Sequence, residues 1–173
     1  MEHLHAGDIM VPLDLYPHIP YWFTIRQAIA EMESAEIETN GRRSIPRVVL
    51  VFDETYRLMG FIRRRDVLHG LLPGYLLEDT DKEIREAYDI HVDPHLSEVF
   101  ETQGEDIKEL SNRPVSSVMH PIVHSVQHDD TLLKVVQELV VNNVYMLPVM
   151  KEGKIVGVVR TLDVLHAVAK LVL

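Results

Sequence analysis

Apolar residues recur every three or four positions in two segments of the chain, and this spacing predicts two amphipathic helices. The first stripe is formed by Ile25, Ala28, Ile29 and Met32, and the second lies within residues 131–141. Each stripe is followed by two short apolar runs separated by turn-forming residues, which predict a pair of strands, and then by a further helix. Both halves of the chain therefore predict the same order of strand, helix, strand, strand and helix.

Blocks of similar sequence support this duplication, because they occur twice in the same order. The matched blocks are residues 7–12 with 116–121, residues 24–32 with 131–139, and residues 60–68 with 157–165. The first repeat is longer than the second. Its excess is expected near residues 34–46, where Asn40-Gly41 is typical of a loop.

We interpret the chain as an α/β protein of two related units. Residues 1–73 form the first unit and residues 114–173 the second, and residues 74–113 form a partly helical acidic connector. A unit of this size is marginally stable alone. We therefore expect the two small sheets to pack together about a pseudo-twofold axis, which leaves two related clefts between the units.

Composition and charge narrow the classes of function. The chain has 173 residues, no cysteine and a net charge of −10, and residues 74–113 carry most of that charge. Without cysteine there is no disulfide, zinc–thiolate site or thiol nucleophile. The negative charge argues against nucleic-acid binding. No apolar run is long enough to span a membrane, and the N-terminus does not resemble a signal peptide, so we expect a cytoplasmic protein with no membrane partner.

The repeated blocks resemble the cystathionine-β-synthase (CBS) domain, present here as the tandem pair called a Bateman module. The resemblance is clearest in the second repeat, in Leu147-Pro148-Val149 and in residues 157–165. In the first repeat Val51 stands where the second has Pro148. The resemblance implies a dimeric, non-catalytic regulatory module that requires no cofactor. It also implies that AMP, ADP, ATP or S-adenosylmethionine binds in the clefts and that an effector protein receives the signal.

The family's ribose-binding pattern is Gly, two apolar residues, Thr or Ser, two variable residues and Asp. Both repeats keep the glycine and the aspartate, Asp66 and Asp163, but have Arg63 and Arg160 in the hydroxyl position. Each aspartate either accepts hydrogen bonds from ribose or is an ordinary carboxylate at a helix N-terminus. Each arginine either contacts phosphate, or faces solvent or the acidic segment.

The resemblance also places four residues of the second repeat near a cleft: Val123, His124, Tyr145 and Met146. Apolar and aromatic side chains at these positions would sandwich an adenine ring. The alternative is that Val123 and Met146 belong to the hydrophobic core.

Two other functions compete with a nucleotide sensor. A structural module would use its dimer surface, and the very apolar residues 164–173 predict a buried or interfacial helix. A divalent-metal sensor would use His91, Asp93 and His95, although Pro94 and the acidic surroundings favour a solvated loop. No Walker loop or Gly-x-Ser-x-Gly motif is present, so an enzyme is the least expected class.

Overall fold

The computed structural model of the chain describes residues 4–73 and 104–173. The first half follows the predicted order and adds a short helix at its start. Its helices are α1 (Ala6–Ile9), a 3-10 turn (Leu13–Leu15), α2 (Ile25–Ser34) and α3 (Arg64–Gly70). Its strands are β1 (Val11–Pro12), β2 (His18–Pro20), β3 (Ile37–Thr39), β4 (Arg42–Ser44), β5 (Val48–Phe52) and β6 (Leu58–Arg63).

The second half repeats this order. Its helices are α4 (Gly104–Leu110), a 3-10 turn (Val115–Ser117), α5 (Leu132–Val141) and α6 (Thr161–Val172). Its strands are β7 (His120–Pro121), β8 (Val126–Gln127), β9 (Met146–Lys151) and β10 (Lys154–Arg160). The predicted α/β fold with small sheets is therefore confirmed. Helix α4 is the described helical part of the acidic connector.

Each half begins its main helix with a threonine that caps the N-terminus. Thr24 accepts a hydrogen bond from the backbone N–H of Gln27, and Thr131 accepts one from Lys134. Such caps satisfy N–H groups that have no partner within the helix. The apolar stripe then places Ala28 and Val135 in the cores of their respective units.

The two four-stranded sheets exchange their short edge strands. Their orders are β1-β10-β9-β8 and β2-β5-β6-β7, so β1 pairs with the second half and β7 with the first. Glycine permits this close approach, because a Cβ at Gly60 would lie 2.3 Å from the carbonyl oxygen of His120. At Gly157 it would lie 2.5 Å from the carbonyl oxygen of Val11. The limits of the two units given above remain predictions.

The extra residues predicted in the first repeat form a β-hairpin rather than an irregular loop. Strands β3 and β4 pair with Ile37 opposite Ser44. Asn40 and Gly41 both have positive φ, at 52° and 72°, as a type I′ hairpin turn requires. Ile37 is 1% exposed and packs with Tyr16 in the core, so the hairpin is fixed to the body of the molecule.

A shared hydrophobic cluster joins the two sheets. It contains Val11, Leu50, Met146 and Val158, which come from both halves, and separate clusters lie beneath the helices of each unit. Helix α6 buries only one face within the chain and leaves its outer face exposed. None of the helices among residues 4–73 and 104–173 is long and apolar enough to cross a membrane.

Candidate ligand-binding clefts

Arg63 and Asp66 form a closed ion pair where β6 passes into α3. Arg63 is the N-cap residue, and its backbone N–H donates to Asp66 Oδ2 at 2.8 Å. The guanidinium also donates, from Nε to Oδ2 at 2.9 Å and from Nη2 to Oδ1 at 2.9 Å. This bidentate geometry is the strongest form of arginine–carboxylate pairing. Asp66 is therefore a carboxylate at a helix N-terminus, and Arg63 pairs with it while its side chain stays 39% exposed.

His120 completes a triad with this pair. Its Nε2 lies 2.8 Å from Asp66 Oδ1 and 3.0 Å from Arg63 Nη2, and its ring stacks on Phe61 with centroids 5.6 Å apart. With a hydrogen on Nε2, His120 donates to the carboxylate. Burial acts to raise the pKa of Asp66, but the hydrogen bonds from Arg63 and His120 together hold that pKa below its ordinary value.

The second repeat has the same pair in a more buried place. Asp163 accepts hydrogen bonds from the Arg160 backbone N–H at 3.0 Å, from Nε at 2.8 Å and from Nη2 at 2.6 Å. Arg160 Nη1 donates to Ser44 Oγ of the hairpin at 2.8 Å. The Arg160 side chain is 11% exposed, against 39% for Arg63. Asp163 thus lies at the N-terminus of α6, and Arg160 faces the hairpin rather than solvent. A ligand contact of either residue stays a prediction.

The first cleft is a cavity of about 320 Å³ between the two halves. It brings together Arg63 and all four residues that the resemblance placed near a cleft. Its lining includes the apolar, aromatic and basic side chains of Phe61, Arg63, His120, Val123, His124, Tyr145 and Met146. Val123 is 75% exposed and Tyr145 is 59% exposed, so neither belongs to the core. Met146 does, since it is buried in the cluster between the sheets.

The second cleft consists of two adjoining cavities that share Ser44, Arg160 and Leu162. One, of about 280 Å³, is lined by Tyr16, Ser44, Arg160 and Leu162, and another, of about 420 Å³, adds Arg42 and Asp163. Arg160 and Asp163 are therefore separated from Val123 and His124. The structure does not unite the eight predicted residues in one site. Tyr145 and Met146 line both the first cleft and the 280 Å³ cavity, and Asp66 lines none of these cavities but pairs with Arg63.

Several residues of the clefts have no predicted role in the sequence. His120 joins the first cleft only because β7 pairs with the sheet of the opposite half. Arg42, Arg43 and Ser44 join the second because the inserted segment folds as a hairpin. The turn signal Asn40-Gly41 locates that hairpin along the chain, but not the cleft against which it packs.

The predicted metal ligands fall outside the described part of the chain. His91, Asp93 and His95 lie between residues 73 and 104, outside the described residues, and the metal-sensor interpretation stays a prediction. Within residues 4–73 and 104–173, no three histidine or carboxylate side chains are grouped so as to hold a metal ion.

Comparison with known proteins identifies a family for the second half of the chain. Residues 115–170 match the model of the CBS domain. No curated protein matches the sequence.

Solved structures similar to the whole chain are CBS-domain proteins. CBSX2 in complex with AMP is 17% identical, with a TM-score of 0.62, over 96% of this chain and 97% of that one. A CBS domain-containing protein of unknown function from Bacillus anthracis str. Ames Ancestor is 16% identical, with a TM-score of 0.66, over 98% and 95%. The cytosolic domain of the Mg²⁺ channel MgtE in complex with ATP is 22% identical, with a TM-score of 0.59, over 96% and 49%. At these identities the likeness establishes a shared fold.

Proposed function

Because residues 115–170 are a CBS domain and the whole chain has the fold of CBS-domain structures, we propose that this protein is a non-catalytic regulatory module. It senses an adenosine-containing nucleotide, of the group AMP, ADP, ATP and S-adenosylmethionine, and the first cleft is the binding site. The structures of CBSX2 with AMP and of the MgtE cytosolic domain with ATP support this class of ligand.

The observation that carries the proposal is the composition of the first cleft. One cavity of about 320 Å³ combines exposed Val123 and Tyr145 with the guanidinium of Arg63. An apolar side chain and an aromatic ring can enclose the two faces of a purine, and burial of an aromatic surface is favourable. The Arg63 guanidinium already donates from Nε and Nη2 to Asp66, and Nη1 is the nitrogen we expect to meet a phosphate oxygen. The cleft therefore offers separate contacts for the base and for an anionic group.

Asp66 needs a rearrangement of its hydrogen bonds before it can make the predicted ribose contact. Its two oxygens already accept hydrogen bonds from the Arg63 backbone N–H, from two guanidinium nitrogens and from His120. A carboxylate accepts about four hydrogen bonds in all. A ribose hydroxyl must therefore replace one of these donors, and His120 is the one that does not belong to the helix cap. We expect nucleotide binding to move His120 away from Asp66.

Thermal unfolding of the full chain with each of the four ligands, followed by calorimetry, tests the proposal. A ligand at a hundred times its Kd should stabilise the folded chain by about 2.7 kcal/mol. Replacing Tyr145 by alanine should weaken binding about tenfold, because stacking on a base is worth about 1–3 kcal/mol. Tyr56→Ala is the matched control, since Tyr56 is 56% exposed and lines neither cleft. Absence of stabilisation by all four ligands would refute a nucleotide sensor.

A structural module is the second candidate, and the ion pairs favour it. Arginine replaces the hydroxyl residue in both repeats, and each arginine is closed onto its aspartate. Such a protein would dimerise without a ligand. Tyr145→Ala separates the two functions, because nucleotide binding in the first cleft would weaken while dimerisation would not change.

We also propose a homodimer that passes its signal to an effector protein. Helices α5 and α6 leave large apolar side chains exposed, including Leu133 at 78%, Val140 at 72% and Leu165 at 64%. Burial of such surface favours association. Sedimentation equilibrium should give twice the chain mass, and Leu133→Lys with Val140→Lys should give the monomer mass.

A further inference from the structure

Residues 122–125 follow β7 and form one wall of the first cleft, and we call them the strap. Ile122, Val123 and His124 line the cavity, and the strap belongs to no helix or strand. Among the residues that the structure describes, none forms a hydrogen bond with residues 123–125. A stretch of backbone held by so few bonds opens at a low cost in free energy.

The corresponding segment of the first repeat is fixed in place. Residues 13–15 form a 3-10 turn after β1, and the Tyr16 N–H donates to the carbonyl oxygen of Leu13 at 3.1 Å. Tyr16 is 2% exposed, and its hydroxyl donates to the carbonyl oxygen of Val48 at 3.0 Å. The alignment of residues 7–12 with 116–121 places Ser125, which is exposed, at the position of Tyr16. The second repeat thus has a small exposed side chain where the first has its anchor.

The chain on both sides of the strap is fixed, so the strap can move without disturbing the sheets. On the N-terminal side, Val115 is fully buried, and its N–H donates to the carbonyl oxygen of Phe23 at 2.7 Å. On the C-terminal side, Val126 is 1% exposed and pairs with Val149 of β9. A segment that is anchored at both ends and open between them is typical of loops that close over a ligand.

His120 ties the chain just before the strap to the opposite half. Its Nε2 lies 2.8 Å from Asp66 Oδ1, and its ring stacks on Phe61. The ribose contact described above requires the bond to Asp66 to break. Val123 of the strap is 75% exposed and lines the same cavity as Tyr145, so closure on a base would bury both side chains. The ribose and the base therefore favour the same displacement.

We propose that the strap closes over a nucleotide in the first cleft, and that His120 holds it open through Asp66 when no ligand is bound. His120 is thus an inhibitory contact, because its bond to Asp66 competes with ribose. The ligand shifts the strap because it binds the closed position more tightly than the open one. This proposal rests on nucleotide sensing in the first cleft and adds the regulation of that site.

A spin label on the strap of the full chain tests its closure. The chain has no cysteine, so Ser125→Cys carries a single nitroxide, at an exposed position that does not line the cavity. Its electron paramagnetic resonance spectrum should have narrow lines without ligand and broad lines with saturating AMP. Asp14→Cys is the matched control, because Asp14 is exposed in the fixed 3-10 turn of the first repeat. Its spectrum should be the same with and without AMP.

Calorimetry with adenosine tests the inhibitory contact, because adenosine has the ribose hydroxyls and no phosphate that a displaced His120 could meet. His120→Leu keeps an apolar contact with Phe61 and should tighten adenosine binding about tenfold, since a hydrogen bond to a charged group is lost from the free chain alone. His120→Gln keeps a side-chain donor and should recover part of the wild-type affinity. His18→Leu is the matched control, since His18 contacts Phe52 on β5 and lines neither cleft. It should leave the affinity unchanged.

The outcomes separate failure of the strap from failure of nucleotide sensing. Binding of AMP with an unchanged spectrum at Ser125→Cys would overturn the strap and leave the sensor standing. Equal or weaker adenosine binding by His120→Leu would overturn the inhibitory contact and make His120 a ligand contact. Absence of binding by wild type and by His120→Leu would refute both proposals. The label experiment needs no change at His120, so it decides the closure even if His120→Leu does not fold.

Discussion

Replacement of Arg160 by methionine should destabilise the fold far more than the same change at Arg63. The two arginines have the same role in the two repeats, since each caps a helix and pairs with the aspartate three positions later. Methionine retains most of the apolar stem and removes only the guanidinium. In both variants the aspartate keeps the hydrogen bond from the backbone N–H of the substituted residue. The comparison therefore isolates the effect of an unpaired carboxylate.

The expected magnitudes follow from burial and from the other partners of each carboxylate. The side chains of Arg160 and Asp163 are 11% and 9% exposed, and removal of one partner of a buried pair costs about 3–5 kcal/mol. Arg63 is 39% exposed, and His120 remains beside Asp66 as a second donor. Asp66 is as buried as Asp163, at 8% exposed, so the difference comes from the exposed position of Arg63, which water can occupy, and from the hydrogen bond of His120. Together they limit the cost of Arg63→Met to about 1–2 kcal/mol.

Equilibrium unfolding in urea at pH 7.5, followed by circular dichroism, measures both losses. A second variant, Arg160→Met with Asp163→Leu, should recover most of the lost free energy of unfolding, because replacement of both members of a buried pair by apolar residues is often neutral. Equal losses for Arg160→Met and Arg63→Met would refute the reasoning, since burial would then not determine the cost. Failure of the double variant to recover would attribute the loss to Ser44 and the hairpin instead.

Two further predictions concern the acid limb of stability and the exchanged strands. Burial acts to raise the pKa of Asp66, but hydrogen bonds from Arg63 and His120 lower it overall from its ordinary value of 3.8. The ionised carboxylate therefore stabilises the fold above pH 3.8, and this stabilisation is lost as the pH falls toward the pKa of Asp66 in the folded state. Asp66→Asn should therefore flatten the decline of Tm below about pH 4 in thermal scans, and an unchanged slope would contradict the assignment. Gly60→Ala and Gly157→Ala should each cost about 1–3 kcal/mol, because the added Cβ would meet a backbone carbonyl oxygen of the exchanged strand. Urea unfolding measures this loss, and wild-type stability in both variants would rule out the close approach.

The sequence predicts local structure well in this protein because the signals are short in range. The spacing of Ile25, Ala28 and Met32 predicts α2. The matched residues 60–68 and 157–165 predict that a strand leads into a helix in each repeat, with an aspartate at the third helical position. These features depend on residues that are close in sequence, so they can be predicted without knowledge of the tertiary structure.

The composition of the clefts is less predictable, because it depends on contacts between distant residues. Val123, His124, Tyr145 and Met146 were expected together, and they line the first cleft. Arg63 of the other repeat lines this cleft with them, whereas Arg160 of their own repeat lines the neighbouring 280 Å³ cavity, to which Tyr145 and Met146 also contribute. The reason is the packing of the two units about a pseudo-twofold axis, which faces each helix N-terminus toward the opposite half.

By itself the sequence determined the duplicated order of elements, the turn residues Asn40-Gly41, and the arginine and aspartate that occur at matching positions of the two repeats. Only the tertiary structure decided that the edge strands are exchanged, that His120 reaches Asp66, and that the hairpin brings Arg42 beside Arg160. Periodicity and capping act over a few residues, and the chain encodes them directly. A cleft is formed by side chains far apart in sequence, and the packing of sheets and the hydrogen bonds between halves determine which of them meet.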